Sequence, residues 1–312
     1  GGGTGISTML RGLKRFTSNI TAVITVADDG GGSGVLREDL GMLPPGDIRN
    51  CIMALAETES VMERLLQYRF PEGRLKGQSF GNLFLAAMNG ISDNFEQAVR
   101  YTGDVLAVTG RVLPVTEQDV RLVATLEDGT TVEGESLIGS HHRVHPGRIE
   151  GIALVPADAA PLSPVLDAIR TADLIVLGPG SLYTSILPNL LVPDLADAIR
   201  ASRALKFYIC NLASQPGETD HYTCGDHVKT VEKYLGEGIL DTVVCNGNFE
   251  GELPETVNWI QPEPELNQSH PIYQADLANK ENPWRHDSNK LAQVIMDLFY
   301  ERTGPLASRD EG

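Results

Sequence analysis

Short β-branched segments that end in glycine-rich, polar turns and run on into helices recur along this chain. That juxtaposition restricts its fold more than any other feature. Residues 19–27 (NITAVITVA) read as a short buried strand, and runs of the same kind occur at 172–177, 205–210 and 240–245. Stretches with helical spacing alternate with them at 6–16, 48–57, 61–70, 80–88, 164–170, 195–201 and 227–235. Strands alternating with helices predict an α/β fold with a mostly parallel sheet. A different grammar appears at 120–137, where two alternating runs flank Glu127-Asp128-Gly129-Thr130. Asp-Gly between such runs is a strong hairpin signal, so an inserted antiparallel excursion is expected over about 112–150. No internal repeat is present, and the whole of 1–312 reads as a single α/β domain.

In an open α/β sheet, ligands bind beyond the carboxyl ends of the strands, so the turns there carry the chemistry. Gly1-Gly2-Gly3-Thr4-Gly5 opens directly into the first amphipathic stretch, and glycine lets backbone N–H groups approach a phosphate at a helix N-terminus. The chain begins inside this cluster with no strand before it, and a trimmed N-terminus is expected. Asp28-Asp29-Gly30-Gly31-Gly32-Ser33-Gly34 follows the strand at 19–27. Its two carboxylates could accept sugar hydroxyls or help hold Mg²⁺, or could simply cap the next segment. Asp47 reads as an N-cap, which leaves Arg49 for a phosphate and Asn50 for a base or sugar. Ser79 and Asn82 sit in the turn Gly77-Gln78-Ser79-Phe80-Gly81-Asn82, and Gly180 and Ser181 in Gly178-Pro179-Gly180-Ser181 after the strand at 172–177. Such a set of donors describes a nucleotide or nucleotide-sugar site.

Competing chemistries lack their motifs. The chain has no GxSxG elbow, no GxxxxGK[ST] loop and no HExxH, and no full GxGxxG follows a strand as a dinucleotide fingerprint requires. His141, His142 and His145 lie beside Arg143 and Arg148 with no nearby carboxylate, so no metal is expected there. Cys51, Cys210, Cys224 and Cys245 form no CxxC pair and are expected to be reduced. Charge narrows the partners. Twenty-five Lys and Arg against 42 Asp and Glu give −17, a surface that repels nucleic acid and anionic membranes. No apolar run approaches the roughly 18 residues of a membrane span, and no signal peptide is apparent, so no membrane insertion and a cytoplasmic location are expected. Eight of the acids, and no Lys or Arg, lie between Tyr234 and Asn279, which makes 246–284 an acidic, loop-rich segment. Asp287 or Ser288 can cap a terminal helix over about 287–301.

Taken jointly, the sequence resembles the gluconeogenesis factor family, a bacterial branch of the 2-phospho-L-lactate transferase (CofD-like) superfamily. The matching stretches are GGGTG at Gly1, ADDGGGSG at Ala27, PPGDIRN at Pro44, GQSFGNLFLAAM at Gly77, GPGSLYTSILPNLLVP at Gly178, CNLASQPGETDHY at Cys210 and RHD at Arg285. The resemblance implies a Rossmann-like three-layer core that binds a UDP-sugar such as UDP-N-acetylglucosamine, with a role in cell shape and wall synthesis on gluconeogenic carbon sources. It also implies a homo-oligomer, a cell-wall enzyme or regulator as partner, and Arg285 on the diphosphate or uridine end of the ligand. A salt bridge from Arg285 to the acidic segment is the alternative. The transferase branch, which uses Mg²⁺, shares the first glycine cluster and Asp28-Asp29. It differs where this chain carries residues 77–82 and 178–181, which places the chain outside the deazaflavin pathway. Relatives often have His at the position of Gln78. A regulatory nucleotide-sugar binder is therefore expected, with a Mg²⁺-dependent transferase, Asp28 and Asp29 positioning the ion, as the rival reading and a dinucleotide-binding protein as the third. Trp259 and Tyr273 are candidate stacking surfaces whose plainer fate is burial in the core.

Overall fold

The structure is a computed structural model, and it describes residues 1–57, 60–143, 147–263 and 266–304. Helix α1 (Gly3–Leu13) leads into β1 (Thr21–Ile24), and α2 (Gly31–Leu40), α3 (Gly46–Leu55), α4 (Ser60–Gln67), α5 (Phe80–Gly90) and α6 (Phe95–Val105) follow. Strand β2 (Arg111–Pro114) then pairs in parallel with β1, Thr21 opposite Arg111 and Ile24 opposite Pro114. Next come β3 (Arg121–Leu126), β4 (Thr131–Glu133), the short α7 (Glu135–Ile138) and β5 (Ile149–Val155). These three strands form an antiparallel sheet in the order β4-β3-β5. The remainder is α8 (Ser163–Thr171), β6 (Leu174–Leu177), one wide helical turn at Leu182–Ile186, α9 (Leu187–Leu190), α10 (Leu195–Ala201), β7 (Leu205–Ile209), α11 (Cys224–Leu235), β8 (Thr242–Asn246), α12 (Leu266–Ser269), β9 (Ile272–Ala275) and α13 (Ser288–Thr303). Here β6-β7-β8-β9 make an all-parallel sheet. Its central members are buried on both faces, and β8 accordingly carries the apolar run Val243-Val244-Cys245.

The two parallel sheets meet at the first glycine cluster. The N–H of Thr25, just past β1, donates to the carbonyl of Gly1 at 2.9 Å. On the other side Gly5 packs against the turn after β6, so closely that a Cβ there would lie 2.6 Å from the carbonyl oxygen of Pro179. Helix α1 is held from behind by α13. At Gly12 an added Cβ would come 2.0 Å from the Ser288 carbonyl oxygen, so only glycine lets the two helices approach this closely. Leu10, Leu291 and Ile295 complete the buried seam.

Several expectations are corrected. Residues 30–34 are not a loop: α2 starts at Gly31, because Ser33 is buried and its hydroxyl accepts from the Gly46 N–H at 3.1 Å, tying that turn to α3. Helix α6 was also unanticipated, although Asn94 caps it by accepting from the Gln97 N–H. The turn at Glu127–Thr130 does form a hairpin, with Val123 opposite Glu133, but β4 ends there and α7 follows. The antiparallel unit draws its third strand from β5, whereas β2, at the start of the expected excursion, belongs with β1. Strand β9 lies within the acidic segment. Cys224 and Cys245 are joined as a disulfide, since the start of α11 faces β8, and only Cys51 and Cys210 are free and buried. Tyr273 is exposed on β9, and Trp259 packs edge-on against Phe249. Among the described residues no helix is long and apolar enough to cross a membrane. His145, Pro264 and Glu265 lie outside the described residues.

Candidate functional site

A cleft of about 450 Å³ opens where the turns after β6 and β7 face the first turn of α1, with the segment 284–286 as its outer wall. It lies beyond the carboxyl ends of two adjacent parallel strands, where an open sheet presents its ligand site. Helix α1 has no side-chain cap, since its N-cap is Gly2. Gly3 takes φ +68, a left-handed conformation that only glycine adopts without strain, and its own N–H is taken by Asp47. The N–H groups of a helix's first turn and its dipole favour an anion, and no lysine lines this cleft. Arg285 stands over it, its Nη1 3.4 Å from Thr4 Oγ1. The guanidinium takes part in no ion pair among the described residues.

The opposite wall is preorganised by hydrogen bonds between loops. Asn211 Oδ1 accepts from the Gly180 N–H at 3.2 Å while its Nδ2 donates to the Gly180 carbonyl at 2.8 Å, locking the turns after β6 and β7 together. Ser181 caps the wide turn by accepting from the Thr184 N–H and Oγ1, and it donates to the carboxylate of Glu218. The other oxygen of Glu218 accepts from Gln215 Nε2 at 2.6 Å, and burial pushes this acid up to about 7. His286 is pinned by backbone bonds on both sides, from Asn279 N–H to Arg285 O and from Asp287 N–H to Leu277 O. Its ring faces the Cys210 carbonyl, its Nε2 is buried without a partner, and burial pushes the imidazole down to about 4.

Carboxylates rather than cations surround the inner end. Asp47 does not cap α3: it sits within that helix's first turn and accepts from the Gly3 N–H. Burial and the nearby Asp28 raise it to about 6. Glu135, on α7, lines the cleft and is raised to about 8, first by burial and then by Asp28, while Thr184 bonds it. Asp28 is itself raised by burial, although Gly30 N–H and Ser33 bond it. These are oxygen donors of the kind Mg²⁺ takes. No three acids or other ligating side chains among the described residues converge as a metal-holding group.

The structure divides the sequence candidates into two groups. Gly2, Gly3, Thr4, Gly5, Gly180, Ser181 and Arg285 line the cleft. Asp29 instead binds the Ser136 N–H and Oγ, at 2.9 and 2.6 Å, and anchors α7. Gly31, Gly32 and Ser33 begin α2, where Gly32 abuts Gln78. Arg49 donates to Ser79 and Asn50, Ser79 is fully buried as the cap of α5, and Asn82 is buried beside it. This second group is a polar cluster next to α2 and does not line the cleft. Sequence reasoning passed over Glu135, Asn211, Trp284 and His286. His286 and Asn211 had a visible signal, their places inside the RHD and CNLASQPGETDHY stretches.

The chain resembles known proteins along nearly all of its length. A family model described as 2-phospho-L-lactate transferase CofD matches residues 1–300. A relative from Thermoanaerobacterium thermosulfurigenes is 54% identical over 308 residues, covering 96% of this chain and 95% of that protein. One from Bacillus subtilis, named gluconeogenesis factor, is 45% identical over 311 residues, covering 96% and 97%. A crystal structure of a Bacillus halodurans protein matches with a TM-score of 0.90 at 43% identity, covering 95% of this chain and 97% of that one.

Proposed function

Because this chain belongs to the 2-phospho-L-lactate transferase CofD family, and relatives along its whole length are named gluconeogenesis factor, we propose that its cleft binds a UDP-sugar of the UDP-N-acetylglucosamine type. The observation that carries this reading is Arg285, in no ion pair among the described residues and hydrogen-bonded to Thr4 over the uncapped start of α1. A diphosphate placed there meets N–H donors, a helix dipole and a guanidinium together. Ser185, Thr184 and Ser214 line the same cleft and supply the small polar groups that sugar hydroxyls require. Bound ligand would favour one conformation or one protein partner over another, and this differential affinity is what lets a binding protein report a metabolite level to wall synthesis and cell shape. Calorimetric titration with UDP-N-acetylglucosamine tests the reading. A saturating heat is expected, and no heat up to millimolar ligand overturns it.

One observation favours a second reading, a Mg²⁺-dependent transferase acting on a nucleotide-linked donor. Asp28, Asp47 and Glu135 repel one another beside the proposed diphosphate. Mg²⁺ held chiefly by diphosphate oxygens, beside these acids, would neutralise charge there. Asp29, bound to Ser136, is not available for that role. Release of a nucleoside monophosphate from donor plus acceptor, lost in Asp28→Asn, distinguishes this reading from pure binding.

A further inference from the structure

A second cavity, of about 250 Å³, opens between α11, the start of β5 and the wide turn at Leu182–Ile186, and no residue lines both it and the cleft. That volume is several times the roughly 30 Å³ of one water, so it holds more than a solvent molecule. Tyr183 and Tyr222, joined hydroxyl to hydroxyl at 2.7 Å, and Tyr234 give it aromatic walls. Tyr234 also accepts from the Ile152 N–H at 3.0 Å, which fixes the helix against the strand edge. Lys229 and Lys233, one turn apart on α11, line the same cavity. Lys233 Nζ donates to the Glu150 carbonyl at 2.7 Å and keeps two further N–H donors. Lys229 is exposed, and neither lysine forms an ion pair among the described residues. The two acids of α11 are engaged elsewhere. Asp226 closes the capping box with Thr223, and Glu232 bonds His270 and the Gly238 N–H. Glu150 is the one acid that lines the cavity, against two lysines. Like charges at i and i+4 weaken their helix, and here they stay unpaired in a chain with 42 acids to 25 cations.

We propose that this cavity is a second binding site, for a small phosphomonoester whose phosphate is held by Lys229 and Lys233 and whose carbon skeleton lies against the tyrosine rings. A phosphomonoester carries a charge of about −1.5 to −2 at neutral pH, which matches two ammonium groups and outweighs the single Glu150. The site does not depend on what the cleft binds. The wide turn carries Tyr183 to this cavity and Thr184 and Ser185 to the cleft, so the two sites share one backbone segment.

Calorimetric titration with glycerol 3-phosphate, together with amide hydrogen exchange, tests this in the wild-type chain and in Lys229→Gln. Lys229 is exposed, so the variant is expected to fold, which a thermal melt checks. Wild type should give a saturable heat and slowed exchange at 149–152 and 222–234, and the variant should bind at least about tenfold more weakly. No heat from wild type up to millimolar ligand overturns the proposal, as does wild-type affinity in folded Lys229→Gln. Exchange slowed only at 1–8 and 284–286 puts the phosphate in the cleft and overturns the second site while leaving the cleft reading intact. Inorganic phosphate bound as tightly as the ester leaves the rings no part in recognition and contradicts the ester assignment.

Discussion

Arg285 Nη1 lies 3.4 Å from Thr4 Oγ1, a contact between residues 281 positions apart that joins the entry to the last helix to the first turn of the first. The glycine loop and the RHD motif thereby become two walls of one cleft. Arg285 is exposed and bears no load in the core. Arg285→Ala should therefore weaken UDP-sugar binding by about tenfold or more, with a melting temperature within a degree or two of wild type. Calorimetry and a thermal melt on the same preparation check both halves.

Glu135 should make ligand affinity depend on pH. Its ordinary value is 4.5 and the fold raises it to about 8, through burial and then Asp28. Between those values the folded protein holds a proton that the unfolded chain has lost. The corresponding stability is fully present below pH 4.5 and disappears as pH rises through about 8. A diphosphate also meets one charge fewer when Glu135 is protonated, so affinity should rise as pH falls from about 9 to about 7. Glu135→Gln should flatten that profile and increase stability at high pH on the order of 2 kcal/mol, less than full linkage because the carboxyl is partly solvated. Asp47 and Glu218, raised to about 6 and 7, still titrate below it. Denaturant melts and titrations across that range provide the measurement.

Gly12→Ala should destabilise the protein by about 1–3 kcal/mol, because the new Cβ collides with the Ser288 carbonyl and the Ala292 methyl where α1 crosses α13. The carbonyl is backbone, so relief requires the helices to separate. Urea unfolding measures the loss.

Gly5→Ala should cost ligand affinity as well as stability. Its Cβ would press on the Pro179 carbonyl and on Gly180 Cα, 2.6 and 2.9 Å away. Displacing that turn moves Gly180 away from Asn211 and opens the wall opposite Arg285. At least tenfold weaker UDP-sugar binding is expected by calorimetry, with a lowered melting temperature.

Much of this arrangement was legible because it is written locally. The turns at Gly1–Gly5 and Gly178–Ser181 announce themselves by glycine after or before a periodic run, and Asp128-Gly129 announces its hairpin. Helix α2 was not legible, since Gly31, Gly32 and Gly34 are poor helix formers and side-chain bonds, Ser33 to Gly46 and Gly30 to Asp28 among them, hold that turn in place. Asp47 looked like a cap because Asp before an apolar run usually is one; its actual partner, Gly3, is brought in by tertiary packing. Glu135 and Asn211 join the cleft for the same reason. Their roles depend on which loops meet, and no spacing within one segment encodes that.

A crystal structure of the protein with UDP-N-acetylglucosamine tests the central claim most directly. The diphosphate is expected between the first turn of α1 and Arg285, with the rest of the ligand along the turns after β6 and β7. Ligand bound instead in the polar cluster of Arg49, Ser79 and Asn82, with the cleft left to solvent, would contradict it.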